Sequence, residues 1–333
     1  MQVSEFSYQV LDLLTRYQAP AILMAAHEVG VFGALAAGPA GLDDLAERLG
    51  APRRSLGILL RACVALNLLV REDGRYRCSP LAAATLVPGT PGYLGRLVDK
   101  EAFFYRAWAG LADCVRTDRA ALAPFQVRAR EDPETARNFL LALDDVAALF
   151  GGAFAEHVDL EGCRRLLDVG GGVGSYTLAL LERYPRLEAT VLELPAVVPW
   201  TREFLSEAGA AHRVAVEPFD FLCDPFPRGY DAVLFSNILH DQPPAVNQGL
   251  LARAYQALEP GGRALVYEFL LDDGGVTPPV SAVFAVMMLA ENQGGNVYTA
   301  DEISGWLEAA GFGGLSVRRL PEPSPMGAIS GQR

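Results

Sequence analysis

Gly170, Gly172 and Gly174 punctuate residues 166–174, Leu-Leu-Asp-Val-Gly-Gly-Gly-Val-Gly. An apolar strand pattern runs straight into this turn, and a helix pattern follows from Ser175 to Arg183. Glycine lacks a Cβ, so backbone can approach a ligand where another residue would collide. A second apolar strand pattern, Thr190-Val-Leu-Glu193, ends in an acid. Strand, glycine turn, helix, strand and acid is how an α/β domain holds a nucleoside. The turn takes the bulky part and the acid accepts the ribose hydroxyls.

The turn separates two kinds of nucleoside cofactor. A dinucleotide fingerprint is G-x-G-x-x-G, with pyrophosphate on the helix N-terminus. Here Ser175 stands where the third glycine belongs. Asp168 ends the strand before the turn, close to where anionic phosphates would lie. An acid there suits the positive amino group and sulfonium of S-adenosylmethionine. Glu193 is expected to take the ribose hydroxyls. Asp220 and Phe221, after a third strand, offer an acceptor for the adenine amino group and a ring edge, although Asp220 also fits a turn cap.

From Arg164 onward strand and helix patterns alternate. Strands are expected at 165–169, 189–193, 213–217, 231–236 and 262–270, and helices at 174–184, 196–208, 245–258 and 301–310. That alternation implies a parallel sheet covered on both faces. Leu315–Leu320 and Met326–Ser330 read as a closing antiparallel hairpin, a feature of methyltransferase Rossmann-like sheets rather than dehydrogenase sheets.

Residues 1–95 read as short helices, then a hairpin around Asp73-Gly74, the pattern of a winged helix. This stretch holds eight arginines, no lysine and eight acids, and the helix from Ser55 is mostly apolar. A DNA-reading helix needs donors facing phosphates and bases; this one is built for burial. A packing or dimerisation role is the expectation. Residues 96–160 are helical and rich in aromatics (Phe103, Phe104, Tyr105, Trp108, Phe125, Phe139, Phe150, Phe154), suited to core packing and to walls for a flat apolar substrate. The expected division is 1–95, 96–160 and 161–333.

The net charge of −12 disfavours nucleic acid and anionic membranes as partners. Five scattered cysteines without a CxxC pair fit reduced thiols in a cytoplasm rather than a disulfide framework or a zinc site. The N-terminal residues show no signal-peptide pattern. The apolar run Val280–Ala290 is too short to span a bilayer.

Asp168-Val-Gly-Gly-Gly-Val-Gly, Leu192-Glu-Leu-Pro195, Phe219-Asp-Phe-Leu and Asn237-Ile-Leu-His-Asp241 follow one another in a familiar order, continued by Gly261–Glu268 and Gly294–Glu302. In this the chain resembles the S-adenosylmethionine-dependent O-methyltransferases that include the plant caffeate enzymes and bacterial natural-product enzymes. The resemblance covers nearly the whole chain. It implies an α/β, Rossmann-like catalytic domain preceded by a mainly α winged-helix dimerisation domain. It also implies class I methyl transfer to a small aromatic acceptor and a homodimer whose partner helps close the pocket. Gly170 and Gly172 fall among the contacts to the cofactor, as do Glu193 with Leu194, Asp220 with Phe221, and Ser236. His240 falls on the general base and Glu268 on the acid that orients it.

The chain also departs from the plant pattern. Gln242 follows the Leu-His-Asp element where the plant enzymes have tryptophan, and Val297 occupies the place of a second acid beside the base. That leaves Glu268, with Asp241, to hold His240. His27, His157 and His212 stand in ordinary helix or loop contexts. Glu291 and Asn292 precede the Gly294–Gly295 pair and are candidates for the pocket lining. No resident metal is expected. Two other readings remain: metal-assisted C-methylation of a keto acid, and a SAM-binding regulator without catalysis.

Overall fold

The computed structural model describes residues 2–322 and 324–333, in two compact units, Met1–Tyr105 and Arg106–Arg333. The division falls inside a helix, so the aromatic stretch 96–160 is shared between them.

The first unit contains α1 (Gln2–Thr15), α2 (Gln18–Glu28), α3 (Val31–Ala34), β1 (Ala40–Gly41), α4 (Leu42–Arg48), α5 (Arg53–Ala65), β2 (Leu69–Glu72), β3 (Arg75–Cys78) and α6 (Pro80–Thr85). Asp73 and Gly74 both take positive φ, 49° and 80°, the geometry of a tight two-residue hairpin. β1 adds to this hairpin in the order β1-β3-β2, making the wing. α5 buries Leu56, Gly57, Leu60 and Cys63 along one face, the burial expected of it in place of a nucleic-acid surface. α1 is different: Phe6, Tyr8, Leu11, Leu13 and Leu14 are all more than half exposed.

α7 (Gly95–Trp108) leads into α8 (Leu111–Thr117), α9 (Phe125–Glu131) and α10 (Pro133–His157). The alternating part follows: β4 (Arg165–Val169), α11 (Ser175–Arg183), β5 (Glu188–Glu193), α12 (Val198–Glu207), β6 (Val214–Pro218), β7 (Tyr230–Ser236), α13 (Pro244–Ala257), β8 (Leu258–Leu271), α14 (Pro279–Glu291), β9 (Tyr298–Thr299), α15 (Ala300–Ala310), β10 (Gly313–Arg319) and β11 (Met326–Gln332). The sheet order is β10-β11-β8-β7-β4-β5-β6. β8, β7, β4, β5 and β6 run parallel, and β11 and β10 close the sheet antiparallel. The Rossmann-like sheet and its closing hairpin are as expected.

Its central strands β4 and β7 are largely apolar and buried because both faces are covered. Val233, Phe235 and Val266 pack with Leu250, Leu251, Ile303 and Leu307 of α13 and α15. Leu166, Leu234 and Tyr267 pack on the other face with Phe154, Leu180 and Leu205 of α10, α11 and α12. The order reverses between β4 and β7, and ligand crevices open beyond the strand ends at such a point. α14 is the helix that periodicity missed: its sequence is apolar on all sides, and no 3.6-residue stripe marks it. Among the described residues no single helix is long and apolar enough to cross a membrane.

Candidate active site

β4 delivers its C-terminal end into the 170–174 turn at that reversal. Gly170 has φ of +69°, and a Cβ on it would lie 2.5 Å from Ile238 Cδ1. A side chain here is strained by the positive φ, and Ile238 would have to shift its terminal methyl to make room. The Gly170 N–H donates to Leu192 O at 2.8 Å, tying the turn to β5. Thr201 Oγ1 donates to Gly172 O at 2.7 Å from α12.

Glu193 ends β5 and reaches back into the turn. Its Oε2 accepts the Gly172 N–H at 3.0 Å and its Oε1 accepts the Leu194 N–H at 2.9 Å. Burial pushes its carboxyl up to about 7, against the pull of those two N–H bonds. Asp168 is fully buried beneath the turn. Its Oδ2 accepts from Thr177 Oγ1 at 2.6 Å, and burial raises it to about 6. A Cβ on Gly171 would stand 2.4 Å from this carboxylate, so the backbone of the turn lies directly on it. Its Oδ1 has no hydrogen-bond partner.

Asp220 lies two residues beyond β6 in a turn. Its Oδ1 accepts the Leu222 N–H at 2.9 Å, and its own N–H donates to Asp224 Oδ2 at 2.8 Å. The cap that its sequence allowed is formed. Phe221 comes within 3.5 Å of the Cβ position at Gly170, so the ring does flank the turn. Leu194 is half-buried in an apolar cluster with Leu140, Val173, Val197, Trp200 and Phe204. Ser236, the last residue of β7, is buried and registered with Tyr267 of β8.

The residues at this crevice fit S-adenosylmethionine. A glycine turn that a Cβ would block, a strand-end carboxylate beside it and an apolar wall next to that carboxylate suit a hydroxyl-bearing, cationic ligand. A pyrophosphate would face the carboxylates instead.

β7 leaves the sheet at the same crevice. Asn237 adopts positive φ, 56°, and the chain turns through Leu239–Asp241. The turn is held from beneath: Glu268 Oε1 accepts the N–H groups of Leu239 at 2.7 Å and His240 at 3.4 Å. Asn247 Nδ2 donates to Leu239 O and Gln242 O. Glu268 Oε2 lies 2.6 Å from His240 Nδ1. His240 Nε2 points toward Asp241 Oδ1, 3.5 Å away. Asn292 Nδ2 donates to the same Oδ1 at 2.6 Å. Phe284 of α14 sets its ring at 87° to the imidazole, 5.1 Å between centroids, and stacks on Phe269 at 4.0 Å.

Burial disfavours a charged His240, but the Glu268 carboxylate, then Asp241 and Glu291, outweigh it and hold the imidazole up at about 9. Burial pushes Asp241 up to about 7, against His240, which favours its charged form. A dyad of this kind can accept a proton on Nε2 and stabilise the resulting imidazolium through Nδ1. Val297 is buried and apolar, so the place of the second acid is filled by packing. Sequence reading passed over Arg128 of α9, whose Nη2 meets Glu291 Oε1 at 2.8 Å, both side chains nearly buried. It also passed over Phe269 and Phe284.

Two surface clefts, one beside His157, Arg263 and Arg318 and one beside Arg165, Thr190 and His212, lie at the opposite ends of the strands from His240. Among the described residues no three His, Cys, Asp or Glu side chains converge as a metal site.

Residues 108–313 match the family model of the O-methyltransferase domain, and residues 11–88 that of the O-methyltransferase dimerisation domain. The 3-hydroxy-5-methyl-1-naphthoate 3-O-methyltransferase of Streptomyces sahachiroi is 39% identical over 96% of this chain and 93% of its own. An N,N-dimethyltransferase of Streptomyces rimosus is 35% identical over 80% of each chain. The crystal structure of human N-acetylserotonin methyltransferase in complex with SAM superposes with a TM-score of 0.87 at 28% identity, covering 98% of this chain and 97% of that one.

Proposed function

The chain belongs to the S-adenosylmethionine-dependent O-methyltransferases, and on that footing we propose that it methylates a phenolic hydroxyl of a small aromatic secondary metabolite with His240 as general base. The observation that carries this reading is the 2.6 Å contact between Glu268 Oε2 and His240 Nδ1. It commits Nδ1 to Glu268 and leaves Nε2 as the nitrogen for an acceptor.

S-adenosylmethionine, when bound, supplies an electrophilic methyl group with a good leaving group behind it. The turn 170–174 with Glu193, Leu194, Asp220, Phe221 and Ser236 holds it, and Asp168 supports the turn from below. A phenol has a pKa near 10, and His240 is held at about 9. The two are closely matched, so a proton moves from hydroxyl to Nε2 with little driving force against it. Glu268 stabilises the imidazolium that results, and Asp241 stands beside Nε2. Phe269 and Phe284 give the acceptor ring an apolar side. The Streptomyces sahachiroi relative acts on a hydroxynaphthoate, a fused aromatic of this class.

The dimerisation domain supports a homodimer, and the exposed apolar face of α1 is the surface we assign to the second copy. Residues 1–95 serve that pairing, 96–160 supply pocket walls and 161–333 carry the cofactor. All five cysteines are free, in keeping with the reducing, cytoplasmic setting expected for the enzyme.

The test is His240→Ala. Calorimetric affinity for S-adenosylhomocysteine should stay within a few-fold, while turnover on a panel of phenols falls by roughly 10²–10⁴. Unchanged turnover would remove His240 from the reaction.

A further inference from the structure

The acid that Val297 does not provide has a substitute elsewhere in the fold. Glu291 is the last residue of α14, and its side chain is 7% exposed. Its Oε1 is bound by Arg128 Nη2 at 2.8 Å. Arg128 lies over a pair of contacting rings, with its guanidinium carbon 5.4 Å from Phe125 and 5.6 Å from Phe139, and its Nε donates to Ala123 O at 3.0 Å. The surrounding backbone is tied as firmly: the Ala121 N–H donates to Ala290 O at 2.8 Å. Gln293 Nε2 donates to Asp118 O at 2.8 Å.

The residue after Glu291 touches the proton-transfer site. Asn292 Nδ2 bonds Asp241 Oδ1, which lies 3.5 Å from His240 Nε2. On the same helix Phe284 packs edge-on against the imidazole. α14 therefore supplies Phe284 to the imidazole and Asn292 to Asp241, with the Glu291 carboxylate next to Asn292 in the chain. Glu268 approaches from β8 on the other.

We infer that Glu291 is a positioning residue for the general base: from α14 it supplies a second carboxylate to the group around His240 and Asp241, and Arg128 holds that carboxylate in place. A buried ion pair is a weak stabiliser, because desolvation offsets much of the attraction. A buried pair beside a titrating imidazole has a clearer use, since each charge nearby moves the pH at which the imidazole gains its proton. The groups that act on His240 and Asp241 are Glu268 of β8, Glu291 of α14 and, on Asp241, Arg128 of α9. The inference rests on His240 being the base, and its test can be read without turnover.

His240 is one of four histidines, so its ring signals can be assigned in the full-length protein by their loss in His240→Asn. Titration by NMR of Glu291→Gln should place the His240 midpoint lower by about half to one pH unit, as expected for a partly compensated charge in a medium of intermediate dielectric. Glu291→Asp, which keeps the charge, should restore most of the shift. Arg128→Gln, which removes the side chain that holds the Glu291 carboxylate in place, should also move the His240 midpoint. In turnover, the pH profile of kcat/KM should move with the NMR midpoint. If both variants fold and His240 titrates where it does in the parent, the inference is overturned and the role of His240 stands. If His240→Ala turns over normally while the midpoint still moves, the general-base reading fails and Glu291 is left setting the titration of an imidazole that takes no part in the reaction.

Discussion

Glu268 grips His240 at two places: Oε2 lies 2.6 Å from ring Nδ1, and Oε1 accepts the His240 backbone N–H at 3.4 Å. One carboxylate therefore sets both the path of the turn and the orientation of the ring. Glu268→Gln keeps an oxygen for the backbone and loses the charge. Burial then dominates the imidazole and its pKa falls. We expect kcat to drop by roughly 10²–10⁴ and the rise of kcat/KM with pH to move to lower pH. A profile that keeps its midpoint after this change would rule out Glu268 as the charge behind the base.

In the parent enzyme the sign follows from the same groups. His240 must shed its proton before it can accept another, and it is held at about 9. With phenolic acceptors, kcat/KM should climb as pH rises toward 9 and level off above it. Asp241, pushed up to about 7, ionises within the same rise, so the limb should be broader than a single titration. A profile falling from pH 7 to 9 would contradict His240 as base.

Glu193 gives the cofactor site a pH dependence of its own. Its folded pKa is raised to about 7, so below that pH the carboxyl holds a proton and loses acceptor strength toward ribose hydroxyls. Affinity for S-adenosylhomocysteine should strengthen as pH rises through 7. Glu193→Gln should weaken binding by roughly 10- to 100-fold, the value of a hydrogen bond to a charged group, and flatten this dependence. Calorimetry between pH 6 and about 8 checks both. Equal affinity across that range in the parent would remove Glu193 from the ligand.

Much of this was legible because strand ends write themselves locally. The apolar run ending at Val169, the glycines after it and the acid at Glu193 are short-range patterns, and the parallel sheet places their ends together. His240 was visible for the same reason, at the close of β7. Arg128 was not, and Glu291 was visible only as a pocket-lining candidate, because 163 residues separate the two and only the folded chain brings them together. α14 escaped because its sequence is apolar all round and so carries no amphipathic stripe, although Val280 and Val283 are exposed. Asp168 was legible as a strand-end acid, but its partner was not: Thr177 of α11 donates to its carboxylate.

Gly170 tests how tightly the turn is built. Gly170→Ala places a methyl group 2.5 Å from Ile238 Cδ1 on a backbone of positive φ. Strained φ costs about 1–3 kcal/mol, and the clash adds to it. We expect a lowered melting temperature and loss of measurable cofactor binding. Ile238→Val in the same chain removes the offending atom, so part of the stability should return, while the φ cost remains. If the double variant is no more stable than the single, the close approach of Ile238 is not what keeps this position glycine.

The exposed face of α1 makes the last prediction. Phe6, Leu11 and Leu14 are 64%, 54% and 65% exposed, and apolar surface of this extent on one helix marks an interface. Covering each such side chain is worth about 1.5–3 kcal/mol. Leu11→Glu with Leu14→Glu should therefore convert a dimer to a monomer in light scattering at micromolar concentration, with little change in circular dichroism of the catalytic unit. The pocket is expected to need the second copy, so the monomer should bind S-adenosylhomocysteine near normally and lose acceptor turnover. A double variant that stays dimeric would move the interface to another face of the first unit.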